Sequence, residues 1–143
     1  MKKQLIALSG KGSVGKSSTI KIVYSLLQKK YPTLTVVVEP LESAKEVRVV
    51  VRINGKRIGI ESRGDTRGVV SRALSIFAES KCHIILCATR SRGSTWDAVE
   101  EFADQNKYEI SRVEKIGEPV QTKQKGANKK CADGIFSVID SLL

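Results

Sequence analysis

The chain contains 143 residues, of which 41% are hydrophobic and 28% are charged, and 25 Lys and Arg outnumber 15 Asp and Glu. This length and composition indicate one globular domain over residues 1–143 and exclude a disordered or collagen-like chain. No apolar run approaches the ~18 residues that a membrane-spanning helix needs, and the start of the chain lacks the apolar core of a signal peptide. We therefore expect a cytoplasmic protein without a transmembrane segment.

The positive charge is concentrated in three blocks of the sequence. Residues 1–38 contain seven lysines and no acidic residue, and residues 121–130 contain four lysines and again no acidic residue. Residues 45–72 contain eight basic and three acidic residues. Such asymmetry favours a polyanionic partner, whether a nucleotide, a nucleic acid or an anionic lipid, and it does not choose among them.

The first part of the chain predicts a strand, a helix and a second strand. The apolar run at 4–8 is typical of a buried strand and leads into a Ser-Gly pair. Apolar residues then recur at helical spacing over 17–30, and Pro32 prevents that helix from continuing. A β-branched strand is predicted at 34–38.

A β-hairpin is predicted next, because Asn54-Gly55 separates two β-rich runs and both residues tolerate a positive φ. The arms, residues 47–53 and 56–61, alternate apolar with basic side chains, so we expect one face of the hairpin to be exposed to solvent. We interpret this hairpin as an insertion into the alternation of strands and helices.

The rest of the chain alternates helices and strands. We predict helices over 66–80, 95–106 and 131–143, strands over 82–88 and 108–116, a polar loop over 118–128, and a mobile segment over 121–130. Strands that alternate with helices favour a mostly parallel sheet with helices on both faces. The predicted fold is therefore α/β, a single-domain P-loop NTPase fold if the loop after the first strand binds phosphate.

That loop, residues 10–17, reads Gly-Lys-Gly-Ser-Val-Gly-Lys-Ser, which satisfies G-x-x-x-x-G-K-[ST] between a predicted strand and a predicted helix. Glycines allow successive N–H groups to point at phosphates, and the helix N-terminus adds partial positive charge. In such a loop Lys16 contacts the β- and γ-phosphates, and the Ser17 hydroxyl ligates Mg²⁺. The predicted nucleotide-binding residues are Gly10, Lys11, Gly12, Ser13, Val14, Gly15, Lys16, Ser17 and Ser18.

The sequence favours ATP over GTP as the nucleotide. GTPases of this type carry an [NT]-K-x-D element after a late strand. The nearest candidate, residues 89–92, reads Thr-Arg-Ser-Arg and lacks both the Lys and the Asp. The predicted cofactors are ATP and Mg²⁺.

Lys11, which directly precedes Gly12, makes the loop resemble the deviant Walker A motif of the ParA and MinD group of partition and septum-positioning ATPases. That resemblance implies a nucleotide-dependent homodimer in which Lys11 reaches the partner's phosphates, much as an arginine finger does. Residues 84–98 (IILCATRSRGSTWDA) are also similar to a strand and helix start of MinD-type proteins. Ser94 and Asp97 there equally form an ordinary helix-capping pattern.

The acidic residues of that family are replaced in this chain. Its Asp-x-Asp segment corresponds to V-E-P-L-E at 38–42, where Glu39 is the best positional match for the acid that orients water. Its Asp-x-Pro segment corresponds to E-S-R-G-D at 61–65, where Glu61 or Asp65 is placed to hold a Mg²⁺-bound water. The candidate catalytic residues are Lys11, Lys16, Glu39 and Asp65, and the candidate metal ligands are Ser17 and Asp65.

Three functions are compatible with these residues. The first is a minimal ATPase that dimerises with nucleotide and contacts DNA or another polyanion through its basic blocks. The second is a small-molecule or nucleotide kinase, which needs arginines over the substrate phosphate; the candidates are Arg63, Arg67, Arg90 and Arg92. The third is a regulatory module that binds nucleotide without hydrolysing it, which the absence of an Asp-x-Asp segment favours.

The remaining reactive side chains are expected to be structural. Cys82, Cys87 and Cys131 form no C-x-x-C or metal-ligand spacing, so we expect free and mostly buried thiols. His83, the single histidine, is expected at a strand end, with no catalytic or metal-binding role.

Overall fold

The computed structural model describes residues 2–11, 15–38, 45–115 and 121–143. Gly12, Ser13, Val14 and Glu39, which the sequence places in the candidate site, lie outside the described residues. The elements are β1 (Gln4–Ser9), α1 (Lys16–Lys30), β2 (Thr35–Val38), β3 (Arg48–Ile53), β4 (Lys56–Glu61), α2 (Arg67–Glu79), β5 (Ile84–Thr89), α3 (Ser94–Asn106), β6 (Glu109–Glu114) and α4 (Gln121–Leu142).

The chain forms a mixed α/β domain whose described part contains a six-stranded sheet and four helices. The strand order is β2-β3-β4-β5-β1-β6, and β5 lies between β1 and β4. β4, β5, β1 and β6 run parallel, while β3 is antiparallel to both of its neighbours. The expectation of a mostly parallel sheet is confirmed.

The core has two halves, one on each face of the sheet, because side chains of a strand alternate between its faces. On one face α1 and α4 cover side chains such as Ile6, Leu8 and Ile60. On the other face α2 and α3 cover Leu5 and Ile85. Helices on both faces were predicted, and this prediction is confirmed.

The hairpin turn is confirmed, and both of its strands are part of the sheet. Asn54 and Gly55 both have positive φ, 52° and 78°. Every residue of β3 except Arg52 is buried. Of the two basic residues of β3, Arg52 is exposed to solvent as expected, whereas Arg48 is buried and forms an ion pair with Glu61 on β4.

The expected loop at 118–128 is wrong for its described part, because α4 begins at Gln121. Ala132, Ile135 and Ile139 lie at helical spacing and are buried against the sheet. The polar first half of this helix continues the same helix beyond the core, and its Lys, Gln and Ala residues have good helix propensity.

Two smaller expectations also have clear outcomes. Ser94 does not cap α3, because Gly93 occupies the N-cap position and Ser94 is the first helical residue. The three cysteines are free. His83 directly precedes β5, as expected for a strand-end residue, and its Nδ1 accepts a hydrogen bond from the Arg57 backbone N–H at 3.0 Å. None of the helices in the described ranges is long and apolar enough to cross a membrane.

Candidate functional site

The described residues of the candidate site lie at one edge of the sheet. The carboxyl ends of β1, β4 and β5 meet at this edge because these strands are parallel. β3 runs the other way, so the residues that enter β3 lie at the same edge. Ligands of open α/β sheets bind outside the carboxyl ends of the strands. A ligand-binding site is therefore expected at this edge.

Lys16 is the first residue of α1 and is buried at this edge, with 7% of its surface exposed. Gly15 precedes it with a φ of 87°, which turns the chain into the helix. The Lys16 Nζ donates hydrogen bonds to the carbonyl oxygens of Gly10 (2.7 Å) and Thr89 (2.8 Å), at the ends of β1 and β5. Lys16 forms no ion pair with any residue that the structure describes. It is a buried cation held by peptide dipoles.

Burial has a direct effect on the charge of Lys16. Desolvation lowers the pKa of the Lys16 ammonium group, the nearby carboxylate of Asp65 opposes that decrease, and the Arg90 guanidinium adds to it. A desolvated ammonium group that has only carbonyl partners is well placed to bind an anion.

The hydroxyl of Ser17 lies beside a carboxylate that the sequence did not single out. Its Oγ is 3.0 Å from the Ser62 carbonyl oxygen and 3.2 Å from a carboxylate oxygen of Glu46. The Ser62 hydroxyl donates to the same Glu46 carboxylate and accepts from the Val47 N–H. Glu46 belongs to no motif, and the only signal for it was its place just before an antiparallel strand.

A cavity of about 200 Å³ adjoins Lys16. It is lined by Gly15, Lys16, Ser17, Ser18, Ser62, Gly64 and Asp65. The Asp65 side chain is 68% exposed and lies 3.6 Å from the Arg90 guanidinium. The structure therefore brings Lys16, Ser17 and Asp65 together, as the sequence predicted. Lys11 is exposed just beyond the end of β1.

Glu61, the other acid offered as a metal ligand, is used differently. Its carboxylate is 1% exposed, lies 2.8 Å from the Arg48 guanidinium and 3.5 Å from that of Arg63, and does not line the cavity. Burial raises the pKa of Glu61, and the hydrogen bond from Arg48 opposes that increase. Of the two candidate acids, Asp65 is the one at the cavity.

The four arginines expected to converge do not form one cluster. Arg63 approaches Glu61, and Arg90 approaches Asp65. Arg67 binds Glu101 and the Ser94 carbonyl oxygen on α3, and Arg92 is exposed. Only Arg90 among them pairs with a residue that lines the cavity.

The first half of α4 packs against Gly15. A Cβ atom there would lie 2.2 Å from the Asn128 Oδ1 and 2.4 Å from the Gln124 Nε2, and the φ of 87° is one that L side chains rarely adopt, so glycine is favoured at this position. Asn128 is 6% exposed, and its Oδ1 accepts a hydrogen bond from Gln124. Both residues lie in the segment that was expected to be mobile, so their contact with Gly15 was not predicted.

Oxygen donors that line the cavity (Ser17 and Asp65) or contact Ser17 beside it (Glu46) fit Mg²⁺. The Ser17 hydroxyl and the carboxylates of Glu46 and Asp65 are hard oxygen donors, and Mg²⁺ typically takes one or two carboxylates together with phosphate oxygens. Within the described ranges, no group of three or more His, Cys, Asp or Glu residues is placed to hold a metal ion by itself.

Comparison with known proteins adds little to this description. No protein-family model matches the chain, and no curated protein matches it. The chain is similar to the crystal structure of APE1195, with 16% sequence identity and a TM-score of 0.43, over 93% of this chain and 76% of that one. Functional conclusions therefore rest on the residues of the site.

Proposed function

We propose that this protein is a small P-loop ATPase that binds Mg-ATP in the loop between β1 and α1 and hydrolyses it. The observation that carries the proposal is the buried Lys16 ammonium group, which has two carbonyl partners and opens onto a cavity shared with Ser17 and Asp65. A lysine held this way gains an anionic partner when phosphates enter, and that gain favours binding.

Each residue at the cavity has a distinct role in this proposal. Lys16 binds the β- and γ-phosphates, together with backbone N–H groups at the start of α1. Ser17 and Glu46 hold Mg²⁺, which neutralises phosphate charge during transfer. Asp65, exposed at the opening of the cavity, orients the attacking water.

The dimeric switch rests on Lys11. Its side chain is exposed beyond the end of β1, next to the loop but not folded into the cavity. In the deviant Walker A ATPases that the loop resembles, this lysine acts on the partner's nucleotide. We extend that role to Lys11, with DNA or another polyanion as the ligand of the basic blocks.

The test is Mg-ATP turnover measured over a range of protein concentrations, with and without DNA, for wild type and Lys11→Ala. Turnover per molecule should rise with protein concentration in the wild type and stay low and constant in Lys11→Ala. Lys2→Ala, which removes an exposed lysine near the same end of the chain, is the matched control and should behave as wild type. Turnover that is independent of protein concentration and of Lys11 contradicts the switch.

The metal site has its own test. Glu46→Gln should raise the Mg²⁺ concentration needed for half-maximal turnover, because it removes a negative oxygen donor beside Ser17. Asp65→Asn should instead lower turnover and leave that concentration unchanged, because Asp65 orients the attacking water and does not hold the metal. Glu114→Gln, an exposed acid on β6, should leave that concentration unchanged. An unchanged Mg²⁺ requirement in Glu46→Gln excludes Glu46 as a ligand.

A phosphotransferase is a second candidate, favoured by the position of Arg90. Its guanidinium lies 3.6 Å from Asp65 at the opening of the cavity, where an acceptor's phosphate would approach. A phosphorylated product formed from a nucleotide or metabolite would decide for this function. Tight Mg-ATP binding with neither turnover nor transfer would instead indicate a nucleotide-binding regulatory module.

A further inference from the structure

Two of the lysine-rich blocks of the sequence meet in the fold. α1 contains no Asp or Glu, and neither does the first half of α4, residues 121–130. α1 and α4 pack side by side on the same face of the sheet. Basic segments that are about a hundred residues apart in the chain thus lie next to each other, on a surface that none of the proposed catalytic steps uses.

Between these helices runs an open groove of about 990 Å³, which we call the α1–α4 groove. The groove follows α1 from Ser18 to Lys29. These residues are separated by eleven steps of about 1.5 Å helical rise, so the groove is about 16 Å long. Its lining residues from the two helices are Ser18, Lys21, Ile22, Ser25, Leu26, Gln28, Lys29, Gln124, Lys125, Asn128 and Lys129.

The groove combines apolar and positive surface. Ile22 and Leu26 are one helical turn apart and half-buried. Among the residues that the structure describes, four lysines and no acidic residue line the groove. Two of these lysines have contacts of their own, because Lys21 donates to the Lys45 carbonyl oxygen and Lys129 lies 3.5 Å from Asp133. Lys29 and Lys125 are exposed, one on each helix.

We propose that the α1–α4 groove is a docking site for an acidic amphipathic helix of a partner protein. The apolar surface of Ile22 and Leu26 fits the apolar stripe of such a helix, and the lysines on either side fit its carboxylates. The length of the groove matches about three turns of helix. This proposal does not depend on nucleotide binding.

Other polyanions fit the groove less well. A nucleic-acid backbone has no apolar stripe to cover Ile22 and Leu26, and its affinity comes from phosphate contacts alone. A membrane surface is broad, whereas the apolar residues here lie between two helices. The combination of an apolar centre with lysines on both sides is what favours a helical peptide.

The groove also adjoins the phosphate cavity. Ser18 lines both, and Gln124 and Asn128, which pack against Gly15, line the groove as well. A helix in the groove would lie beside Gln124 and Asn128, which contact Gly15 at the start of α1. The docking site and the proposed nucleotide site are thus neighbours with separate lysines.

The probe is a fluorescein-labelled synthetic peptide of about twelve residues, enough for three helical turns. It carries Leu at helical i, i+3, i+4 and i+7 positions and Glu at most others, and a scrambled peptide of the same composition is the peptide control. Anisotropy titrations should show that the full-length protein binds the amphipathic peptide about tenfold more tightly than the scrambled one, because only the former presents an apolar stripe.

Two variants locate the binding. The double variant Lys29→Glu/Lys125→Glu should lower the affinity for the amphipathic peptide about tenfold or more, since it reverses one charge on each side of the groove. Leu26→Ser should remove the preference for the amphipathic over the scrambled peptide. Lys123→Glu changes an exposed lysine of the same helix that does not line the groove, and it should leave the affinity within about twofold.

Three results would overturn the proposal. The first is equal affinity for the two peptides, which would mean attraction by charge alone. The second is unchanged binding in Lys29→Glu/Lys125→Glu. The third is tighter binding of a short DNA duplex or of phosphatidylserine vesicles than of the peptide through these same two lysines, which would assign the groove to nucleic acid or membrane. A normal melting temperature in each variant confirms that the fold is kept.

Discussion

Two buried cations at the same edge of the sheet have opposite surroundings. Arg48, at the start of β3, is 6% exposed and lies 2.8 Å from the buried carboxylate of Glu61. Lys16, at the start of α1, is 7% exposed and has only the carbonyl oxygens of Gly10 and Thr89 as partners in the described chain. Burial is nearly the same for the two, and the counterion is what differs.

The presence or absence of a carboxylate counterion distinguishes a buried cation that stabilises the fold from one that is available to bind a ligand. A buried cation that already has a carboxylate is neutralised within the protein, and breaking such a pair is costly. A buried cation whose partners are peptide dipoles keeps its charge available for an anion from outside. The first arrangement joins β3 to β4, and the second lies at the cavity that we propose binds phosphate.

The largest expected effect is from Arg48→Ala. Removing the guanidinium leaves the Glu61 carboxylate buried without its main partner, so the variant should lose about 3–5 kcal/mol of unfolding free energy. The double variant Arg48→Met/Glu61→Leu removes both charges and should recover most of that loss. Urea denaturation measures both, and a single variant as stable as the double one would contradict a structural role for the pair.

Nucleotide affinity should depend on pH through Lys16. Desolvation lowers the pKa of its ammonium group below the ordinary 10.5, so the charge is lost at a lower pH than in an exposed lysine. Mg-ATP affinity should fall as pH rises through that lowered pKa, by at most about tenfold per pH unit. The stability of the free protein should change in the other direction, because the unfolded chain then binds more protons than the native one.

The control for this profile is Lys16→Arg, whose guanidinium stays charged throughout. Any binding that this variant retains should not decline over the same alkaline range. Isothermal titration calorimetry with Mg-ATP measures the affinity of wild type and variant from pH 7 to the highest pH at which both stay folded. A wild-type affinity that stays constant up to the ordinary lysine pKa would mean that Lys16 does not contact the phosphates.

Lys16→Met should have a much smaller effect on stability than Arg48→Ala. It leaves no buried charge behind, and the Thr89 carbonyl oxygen still accepts a hydrogen bond from the Gly10 N–H. Both carbonyls lose the Lys16 hydrogen bond, but of the two only Gly10 is left without another described partner, which costs about 1 kcal/mol. Thermal unfolding checks this, and a loss as large as that of Arg48→Ala would show that Lys16 is structural.

The smallest expected effect is from Lys2→Ala, which removes an ion pair at the surface. Lys2 and Glu109 lie 2.8 Å apart, but their side chains are 73% and 51% exposed. Solvent screens such a pair, so the melting temperature should not change measurably. A clear decrease in the melting temperature would mean that an exposed ion pair stabilises this protein as well, and that burial does not distinguish the effect of the Arg48–Glu61 pair.

Features that depend on neighbouring residues were predictable from the sequence. The strand before the loop, the start of α1 and the Asn54–Gly55 turn follow from apolar periodicity and from the backbone freedom of Gly and Asn. The grouping of Lys16, Ser17 and Asp65 was also predictable, because parallel strands place their carboxyl ends at one edge.

Features that depend on pairing between distant segments were not predictable. Glu46 lies beside Ser17 only because β3 is antiparallel to β4, and a single sequence does not give the order of strands. The alternation of apolar and basic residues predicts one solvent-exposed face of the hairpin, and the burial of Arg48 follows from its register opposite Glu61, which no local pattern encodes. Asn128 contacts Gly15 through the packing of α4 on α1, which no local pattern encodes.

The most direct test of the central claim is equilibrium binding of Mg-ATP to wild type, Lys16→Ala and Arg48→Met/Glu61→Leu. If Lys16 binds the phosphates, Lys16→Ala keeps its fold and loses affinity for Mg-ATP by about 100-fold, the equivalent of a lost charge-assisted contact. The double variant should bind Mg-ATP nearly as tightly as wild type. Lys16→Ala that binds Mg-ATP as tightly as wild type would contradict phosphate binding by Lys16.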